Sequence, residues 1–210
     1  MELREGERIL VLGGSRGLGA ALMQALEARK TNPMSYSRKS AVSFDFSQTE
    51  SWPKIYDRIR SLNPQRIIYC AGGGPYGSFQ KFQWKDHSWA FKVTFEFPAS
   101  LLHFLLQNGK TDLEQLILIG SSIAESQPDP GAASYAAAKH ALRGLVTSVQ
   151  KEELPFDLRL LSPGYMETDL LPYDSAPRRA GLAKSPQQVA QLMIQSISDP
   201  ALRMQNQSFD

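Results

Sequence analysis

The sequence contains one cysteine, Cys70, so no disulfide can form within the chain. A chain without disulfides suits a reducing compartment, and we expect a cytoplasmic protein. The three histidines, His87, His103 and His140, lie far apart and show no metal-ligand spacing with one another or with Cys70. The composition therefore argues against a disulfide-stabilised secreted domain and predicts no metal site.

Long hydrophobic runs and an excess of one charge are also missing. No segment reaches the roughly 20 apolar residues of a membrane-spanning helix, and residues 1–8 alternate in charge where a signal peptide needs an apolar stretch. The 23 Lys and Arg residues are scattered along the chain and nearly balanced by 21 Asp and Glu, for a net charge of +2. We therefore expect no membrane association and no nucleic-acid partner.

The chain has 210 residues, enough for one well-filled core and short for two domains. No repeat, low-complexity tract or linker divides it. We therefore predict a single domain over residues 1–210. Residues 165–185 contain prolines, a glycine and an arginine pair without periodicity, which predicts a substrate loop or small lid there.

Apolar runs alternate with helical patterns along the chain. Residues 66–70 and 115–119 are apolar without alternation, which is typical of strands buried on both faces of a parallel sheet. The predicted strands are 8–12, 34–37, 41–46, 66–71, 113–120 and 156–161. The first predicted helix follows a glycine turn at 13–19. The other predicted helices cover 48–61, 84–107, 134–151 and 186–198. This order predicts an α/β fold with one doubly wound parallel sheet.

The glycine turn connects the first predicted strand to the first predicted helix. At Gly13, Gly17 and Gly19 the missing side chains let backbone amides approach a pyrophosphate at the helix N-terminus. The spacing Gly-x-x-x-Gly-x-Gly differs from the Gly-x-Gly-x-x-Gly of most dinucleotide folds, and it lacks the Gly-Lys-Ser/Thr ending of a nucleoside triphosphate loop.

Tyr135 and Lys139 are four residues apart on a predicted helix and therefore share one face. A neighbouring ammonium group favours the phenolate and lowers a tyrosine pKa from its ordinary value of about 10. Such a tyrosine can serve as general acid or base for a carbonyl and alcohol pair. With seven tyrosines in the chain, the spacing can also arise by chance, so it needs support from other motifs.

The glycine turn followed by Tyr135-x-x-x-Lys139 resembles the short-chain dehydrogenase/reductase family, and the resemblance extends over nearly the whole chain. It implies a single Rossmann-type doubly wound parallel sheet flanked by helices. Ser122 stands where the family keeps its catalytic serine, so the implied catalytic residues are Ser122, Tyr135 and Lys139. The positions that match the family's cofactor-binding motifs are Gly13, Ser15, Arg16, Gly17, Leu18, Gly19, Asp45, Phe46, Ala71, Gly72, Lys139, Pro163, Gly164 and Thr168.

The resemblance also implies a reaction. Tyr135 would donate a proton to a carbonyl oxygen that receives hydride from a nicotinamide cofactor, and Ser122 would hold the same oxygen. Lys139 would bind the nicotinamide ribose and lower the pKa of Tyr135. The implied activity is reduction of a small carbonyl compound, or oxidation of the corresponding alcohol, by hydride transfer.

Three positions depart from the family pattern. Leu12 replaces a threonine in the glycine turn and Cys70 replaces the asparagine of an Asn-Ala-Gly segment, and both changes affect structural contacts more than chemistry. Thr94 stands where many members keep an asparagine that completes a proton path through the lysine. Threonine can hydrogen-bond its own helix carbonyls or a water molecule, so a relay stays open.

The choice of cofactor rests on the end of the second strand. Arg38 and Lys39 stand there, Arg16 lies in the glycine turn, and no carboxylate is near them in sequence. Because guanidinium groups pair well with phosphate oxygens, we predict NADP(H), with Arg38 beside the 2'-phosphate. The alternative is that Arg38 and Lys39 are solvated charges of a turn.

The sequence says less about the substrate and the oligomeric state than about the cofactor. Apolar and aromatic residues in segments 71–79 and 165–173 suit a small hydrophobic carbonyl compound or simply pack the loops, and Arg178 and Arg179 either meet an acidic substrate or lie solvated. The apolar helices at 84–107 and 134–151 predict a homodimer or homotetramer, as in the family. Residues 204–210 are short for the closing strand and tail of many members.

Two other functions stay open at this level. The first is a non-catalytic dinucleotide-binding regulator or scaffold on the same fold. The second is an isomerase or dehydratase that uses tightly held NAD, although such relatives usually have longer chains.

Overall fold

The protein is described from a computed structural model that covers residues 2–108, 111–126 and 128–209. These residues contain seven strands: β1 (Arg8–Leu12), β2 (Asn32–Ser37), β3 (Val42–Ser43), β4 (Arg66–Tyr69), β5 (Gln115–Ile119), β6 (Asp157–Pro163) and β7 (Gln207–Phe209). All pair in parallel, in the order β3-β2-β1-β4-β5-β6-β7. The predicted α/β fold with a doubly wound parallel sheet is confirmed.

Helices cover both faces of this sheet. They are α1 (Gly17–Glu27), α2 (Trp52–Leu62), α3 (Trp84–Phe91), α4 (Phe97–Gln107), α5 (Ala133–Val149), α6 (Ala176–Arg179) and α7 (Pro186–Ser198). Residues 84–107 are helical throughout, as predicted. The middle of this stretch, Lys92–Glu96, is a π-helical segment that lies between α3 and α4. Such segments are often found at functional sites, and this one has Thr94 at its centre.

The strands are buried because each face of the sheet packs on its own core. Leu10 on β1 and Leu116 on β5 belong to a core shared with α2, α4 and α5. Ile9 and Ile117, the neighbouring residues on the same strands, belong to a second core shared with α1 and α7. Successive strand residues point to opposite faces, which explains why these strands read as apolar without alternation.

Two strand predictions at the edges of the sheet need correction. The strand predicted at 41–46 is only Val42–Ser43, because Asp45 turns the chain by accepting hydrogen bonds from the N–H and hydroxyl of Ser47, at 2.9 and 2.7 Å. A closing strand is present: Gln207–Phe209 pairs with β6, with Leu161 opposite Gln207. Three residues are too few to show a periodic pattern in the sequence.

The amino ends of the central strands are joined by buried charged and polar side chains. Arg66, Gln115 and Asp157 begin β4, β5 and β6 and are cross-strand neighbours. Arg66 bonds to Glu7 at 2.5 Å and to the Gln115 amide, and Gln115 donates to Asp157 at 2.8 Å. Arg159 donates to the same Asp157 oxygen at 2.8 Å. We call these five residues the amino-end network.

The amino-end network also holds the end of α7. Arg66 donates to the carbonyl of Ile197 at 3.0 Å, and Arg159 donates to the carbonyl of Ser196 at 2.6 Å. Carbonyls in the last turn of a helix have no partner within the helix and favour cations. The two arginines therefore bind the C-terminal end of α7 to the amino ends of the strands.

Asp157 should make the free energy of unfolding depend on pH. Burial alone would raise the pKa of Asp157, but hydrogen bonds from Arg159, the Met204 N–H and Gln115 outweigh it and lower that pKa. A carboxyl group with a lowered folded-state pKa stabilises the fold above its unfolded pKa, about 3.9, and loses this contribution as pH falls through the folded value.

We therefore expect the free energy of unfolding to decline below about pH 4, and we expect Asp157→Asn to lack part of this decline. Urea denaturation between about pH 3 and pH 7 measures both proteins. An identical pH dependence in the variant and the wild type would contradict the assignment.

Candidate active site

A cavity of about 790 Å³ lies at the carboxyl ends of the strands. Its walls come from residues that follow β1, β2, β4 and β5 and from the end of β6, which is where ligands bind in open α/β sheets. The predicted cofactor-binding residues that line it are Gly13, Ser15, Arg16, Gly17, Leu18, Gly19, Arg38, Asp45, Phe46, Ala71, Gly72, Lys139, Pro163 and Thr168. Gly164 lines a smaller adjoining cavity instead.

The glycine turn is tightly packed against neighbouring backbone. Gly13 has φ of +95°, and a Cβ on it would lie 2.7 Å from the Ala71 nitrogen. A Cβ on Gly19 would lie 2.2 Å from the Gly13 carbonyl oxygen. Side chains at these two positions would push the turn out of place, so the glycines keep the amino end of α1 open to the cavity. The positive end of the helix dipole there suits an anionic group.

Besides the buried Lys139, the described residues place three exposed cations, Arg16, Arg38 and Lys39, in the lining of this cavity. The Arg38 guanidinium lies over the Trp89 ring, 5.9 Å from its centroid, and Lys39 follows it. Arg16 in the glycine turn forms an ion pair with Asp169 at 3.6 Å, and both side chains are largely exposed. Exposed ion pairs of this kind contribute little free energy, so Arg16 can leave Asp169 and bind another anion. Positive charge is therefore available beside the glycine turn.

Lys139 lies beneath Tyr135 on α5. Its Nζ donates to the Ile119 carbonyl at 2.5 Å and is 5.5 Å from the centroid of the Tyr135 ring. Burial lowers the pKa of Lys139 to about 8, with the nearby Cys70 thiol acting in the opposite direction. The ammonium group thus has a fixed backbone partner in addition to the tyrosine ring.

The expectation that Lys139 lowers the pKa of Tyr135 is not met in this structure. Burial raises the pKa of Tyr135 to about 12, and only a hydrogen bond with the Ser121 side chain acts to lower it. The reason is that desolvation disfavours the phenolate, while the Lys139 ammonium is directed at the Ile119 carbonyl. Tyr135 is therefore a protonated phenol at neutral pH.

Ser121, the neighbour of the predicted serine, is the serine whose side chain acts to lower the pKa of Tyr135. Ser121 has an extended backbone, and its hydroxyl also accepts from the Ile123 N–H at 3.4 Å. Ser121 and Ser122 both line the smaller cavity. The catalytic role of Ser122 stays a prediction, and Ser121 is a candidate that the family resemblance does not include. The only sequence signal for it is the serine pair itself.

Thr94 binds the loop that follows β4. Its hydroxyl donates to the Gly73 carbonyl and accepts from the Gly73 N–H, both at 3.1 Å, and the side chain is fully buried. Gly72 lies between Thr94 and Lys139, because a Cβ on Gly72 would be 3.5 Å from both Thr94 Oγ1 and Lys139 Nζ. The bonds expected with helix carbonyls or water are thus replaced by a two-way bond with Gly73.

A second cavity of about 110 Å³ adjoins the first at Tyr135. Both cavities are lined by Gly74, Tyr135, Pro163, Met166, Thr168 and Leu170. Tyr76, Ile123 and Leu171 give the smaller cavity an apolar wall, and Ser121 and Ser122 lie near Tyr135. Tyr135 therefore lies between a large cavity of mixed polarity and a small, more apolar one.

The segment predicted as a lid at 165–185 is held by its own backbone contacts. Arg178 donates to the carbonyls of Leu171 and Thr168, at 3.1 and 2.7 Å, and Arg179 donates to the Asp174 carbonyl. Neither arginine lines either cavity. The suggestion that they meet an acidic substrate is therefore not supported, and their role here is to fold the segment.

Across residues 2–108, 111–126 and 128–209, no helix combines the length and apolar character needed to cross a bilayer. The same residues contain no group of three or more His, Cys, Asp or Glu side chains arranged to hold a metal ion.

Comparisons with known proteins give relatives in sequence and structure. The chain is 25% identical over 201 residues to the 3-oxoacyl-[acyl-carrier-protein] reductase FabG of Escherichia coli K12, covering 85% of this chain and 81% of that protein. It is 24% identical over 189 residues to the cyclic-di-GMP-binding biofilm dispersal mediator protein of the same organism, covering 82% and 78%.

Two solved structures share the fold. One is BdcA in complex with NADPH, with a TM-score of 0.81, 21% identity and coverage of 98% of this chain and 93% of that chain. The other is a short-chain dehydrogenase from Burkholderia cenocepacia J2315 in complex with NADP, with a TM-score of 0.81, 22% identity and coverage of 98% and 97%.

The family itself is identified by a sequence profile. The profile described as short chain dehydrogenase matches residues 28–178, a span that starts after the glycine turn and includes Tyr135 and Lys139. This span is well over half of the chain. The protein therefore belongs to the short-chain dehydrogenase family.

Proposed function

We propose that this protein is an NADP(H)-dependent oxidoreductase that interconverts a small carbonyl compound and its alcohol. The observation that carries the proposal is the place of Tyr135, in the wall shared by the two cavities. A nicotinamide in the larger cavity and a carbonyl group in the smaller one would both lie against this residue. Family membership and the reductase relative in Escherichia coli favour the same chemistry.

The residues of the larger cavity fit a phosphorylated dinucleotide. The glycine turn leaves the amino end of α1 open for a pyrophosphate, and Arg38 and Lys39 can pair with a 2'-phosphate. The structural relatives in complex with NADPH and NADP support this choice. When bound, the cofactor would supply or accept the hydride, while the protein's own side chains would handle the proton.

The proton would come from Tyr135 in the direction of reduction. Its raised pKa keeps the phenol protonated at neutral pH, so Tyr135 is ready to donate to a carbonyl oxygen that gains negative charge. The pKa of Lys139 is about 8, so its ammonium group would stay protonated at pH 7 and could bind the nicotinamide ribose. The Ser121 or Ser122 hydroxyl would orient the same oxygen.

Cofactor preference offers a direct test of the cations. We expect NADPH to bind at least about tenfold more tightly than NADH, because charge-assisted bonds to a phosphate contribute about 1.5–3 kcal/mol each. We expect Arg38→Gln and Lys39→Gln to weaken NADPH binding about tenfold and to leave NADH binding nearly unchanged. Fluorescence or calorimetric titration measures both cofactors.

Lys30→Gln is the matched control for these variants, because Lys30 is exposed, pairs with Glu5 at 3.9 Å and does not line the cavity. Equal affinity of the wild type for NADH and NADPH would overturn the cofactor assignment.

The alternative is a dinucleotide-binding regulator without catalysis. The Escherichia coli relative whose name describes a cyclic-di-GMP-binding mediator keeps this alternative open. Following NADPH absorbance with a panel of aldehydes, ketones and quinones separates the two functions. Substrate-dependent loss of absorbance supports the oxidoreductase, whereas tight NADPH binding without turnover of any compound supports the regulator.

Location and assembly remain predictions. We propose a cytoplasmic protein on the basis of its single cysteine. We also propose a homodimer or homotetramer, although Leu101, Leu102 and Leu105, which contributed to that prediction, pack within the chain's own core.

A further inference from the structure

The smaller cavity contains a carboxylate. Among the described residues that line it, Asp129 is the only one with a charged side chain. Tyr165 donates a hydrogen bond to Asp129 Oδ1 at 2.7 Å. No described residue donates a hydrogen bond to Oδ2. Because a carboxylate can accept several hydrogen bonds, Asp129 retains acceptor capacity that a bound molecule can use.

The bond between Tyr165 and Asp129 is fixed across the cavity. Asp129 lies in the segment after β5 and Tyr165 lies in the segment after β6, so the bond joins two walls. The hydrogen bond to Asp129, with burial adding to it, raises the pKa of Tyr165 to about 12. Tyr165 therefore stays a donor at neutral pH and holds the carboxylate in place.

Among the described residues, no Lys, Arg or His lines the smaller cavity to offset this charge. The arginines of the 165–185 segment are bound to backbone carbonyls. An anion placed there would meet a negative charge in a partly desolvated space, which is unfavourable. A hydroxyl or ammonium group would instead gain a charge-assisted hydrogen bond.

We propose that Asp129 makes the enzyme selective for small carbonyl compounds that carry a hydroxyl or protonated amino group, and that it disfavours compounds that carry a carboxylate. The inference rests on the proposed carbonyl chemistry at Tyr135. The carbon skeleton packs on Tyr76, Ile123 and Leu171, while the hydrogen-bond donor reaches Oδ2 of Asp129. The proposed substrate is therefore small and amphipathic, which narrows the small hydrophobic carbonyl compound expected from the sequence.

Four compounds with one carbon skeleton test the proposal: a ketone, its hydroxy ketone, its amino ketone and its keto acid. With the wild type we expect kcat/KM for the hydroxy and amino ketones to exceed that of the parent ketone by about tenfold or more, and that of the keto acid to fall below it by a similar factor. In Asp129→Asn, the ratio of the amino ketone to the keto acid should fall by about tenfold or more.

Ser126→Ala is the matched control. It removes a hydroxyl from the lining of the same cavity, one that donates to the Ser122 carbonyl at 3.1 Å, and it keeps both Asp129 and its bond with Tyr165. The preference for the amino ketone over the keto acid should therefore persist. A wild type that handles the amino ketone and the keto acid equally would overturn the proposal. An Asp129→Asn variant that keeps the wild-type ratio would overturn it as well.

A binding measurement separates this inference from the proposed function. If no compound consumes NADPH, the oxidoreductase proposal fails, and calorimetry of the corresponding amino alcohol and hydroxy acid with the NADPH-bound protein still tests Asp129. Binding of the amino alcohol that weakens about tenfold or more in Asp129→Asn supports the selectivity. Affinities that do not differ between the wild type and the variant contradict it.

Discussion

Tyr135→Phe is expected to lower kcat for carbonyl reduction by about 10²–10⁴-fold, the usual contribution of a positioned general acid. The variant lacks the hydroxyl that would donate the proton and keeps the ring that forms the wall between the two cavities. We therefore expect NADPH to bind with nearly unchanged affinity. Steady-state kinetics and NADPH titration on the same preparation measure the two quantities separately.

Tyr56→Phe is the control for this experiment. Tyr56 also loses one hydroxyl contact, a 2.8 Å bond with Ser100, and it lines neither cavity. Its kcat should stay close to that of the wild type. If Tyr135→Phe retains wild-type turnover, Tyr135 is not the proton donor. If Tyr135→Phe loses NADPH binding together with turnover, its role is in cofactor binding and not in proton transfer.

Arg66→Met is expected to lower the free energy of unfolding by about 3–5 kcal/mol, since removing one partner of a buried ion pair leaves the other charge uncompensated. The variant leaves the Glu7 carboxylate buried, and it removes bonds to Gln115 and to the Ile197 carbonyl at the end of α7. Urea denaturation of the variant and the wild type measures the loss.

Two further variants separate the buried charge from other causes. Arg143→Met breaks the pair with Glu125, but Arg143 is half-exposed, so the expected cost is only about 0–1 kcal/mol. Combining Glu7→Gln with Arg66→Met removes the charge left behind and should recover part of the stability. A single Arg66→Met variant within about 1 kcal/mol of the wild type would show that the amino-end network contributes little.

The fold followed from the sequence because local patterns agree with the tertiary structure. The non-alternating apolar runs at β4 and β5 and the glycine turn before α1 are local signals. The amino-end network has no such signal. Arg66 reads as a solvated charge at the start of a strand, and its burial depends on carbonyls at the end of α7, 131 residues away.

The motifs of the candidate site could be recognised in the sequence, but the pKa values of its residues could not be predicted from it. The spacing of Tyr135 and Lys139 places both on one face of α5, but it does not reveal that burial outweighs the lysine and raises the tyrosine pKa. Which member of the Ser121 and Ser122 pair acts on the pKa of Tyr135 depends on the backbone direction after β5. The sequence does not single out Asp129, because its hydrogen bond with Tyr165 joins residues that are 36 positions apart.

In the proposed mechanism, Tyr135 lies where the nicotinamide and the carbonyl carbon would meet. Reduction with NADPH deuterated at the transferred position of the nicotinamide tests it most directly, with mass spectrometry of the alcohol product. We expect one deuterium on the carbon that was the carbonyl, and formation of this product should slow by about 10²–10⁴-fold in Tyr135→Phe. Bound NADPH that transfers no deuterium to any carbonyl compound would contradict the account.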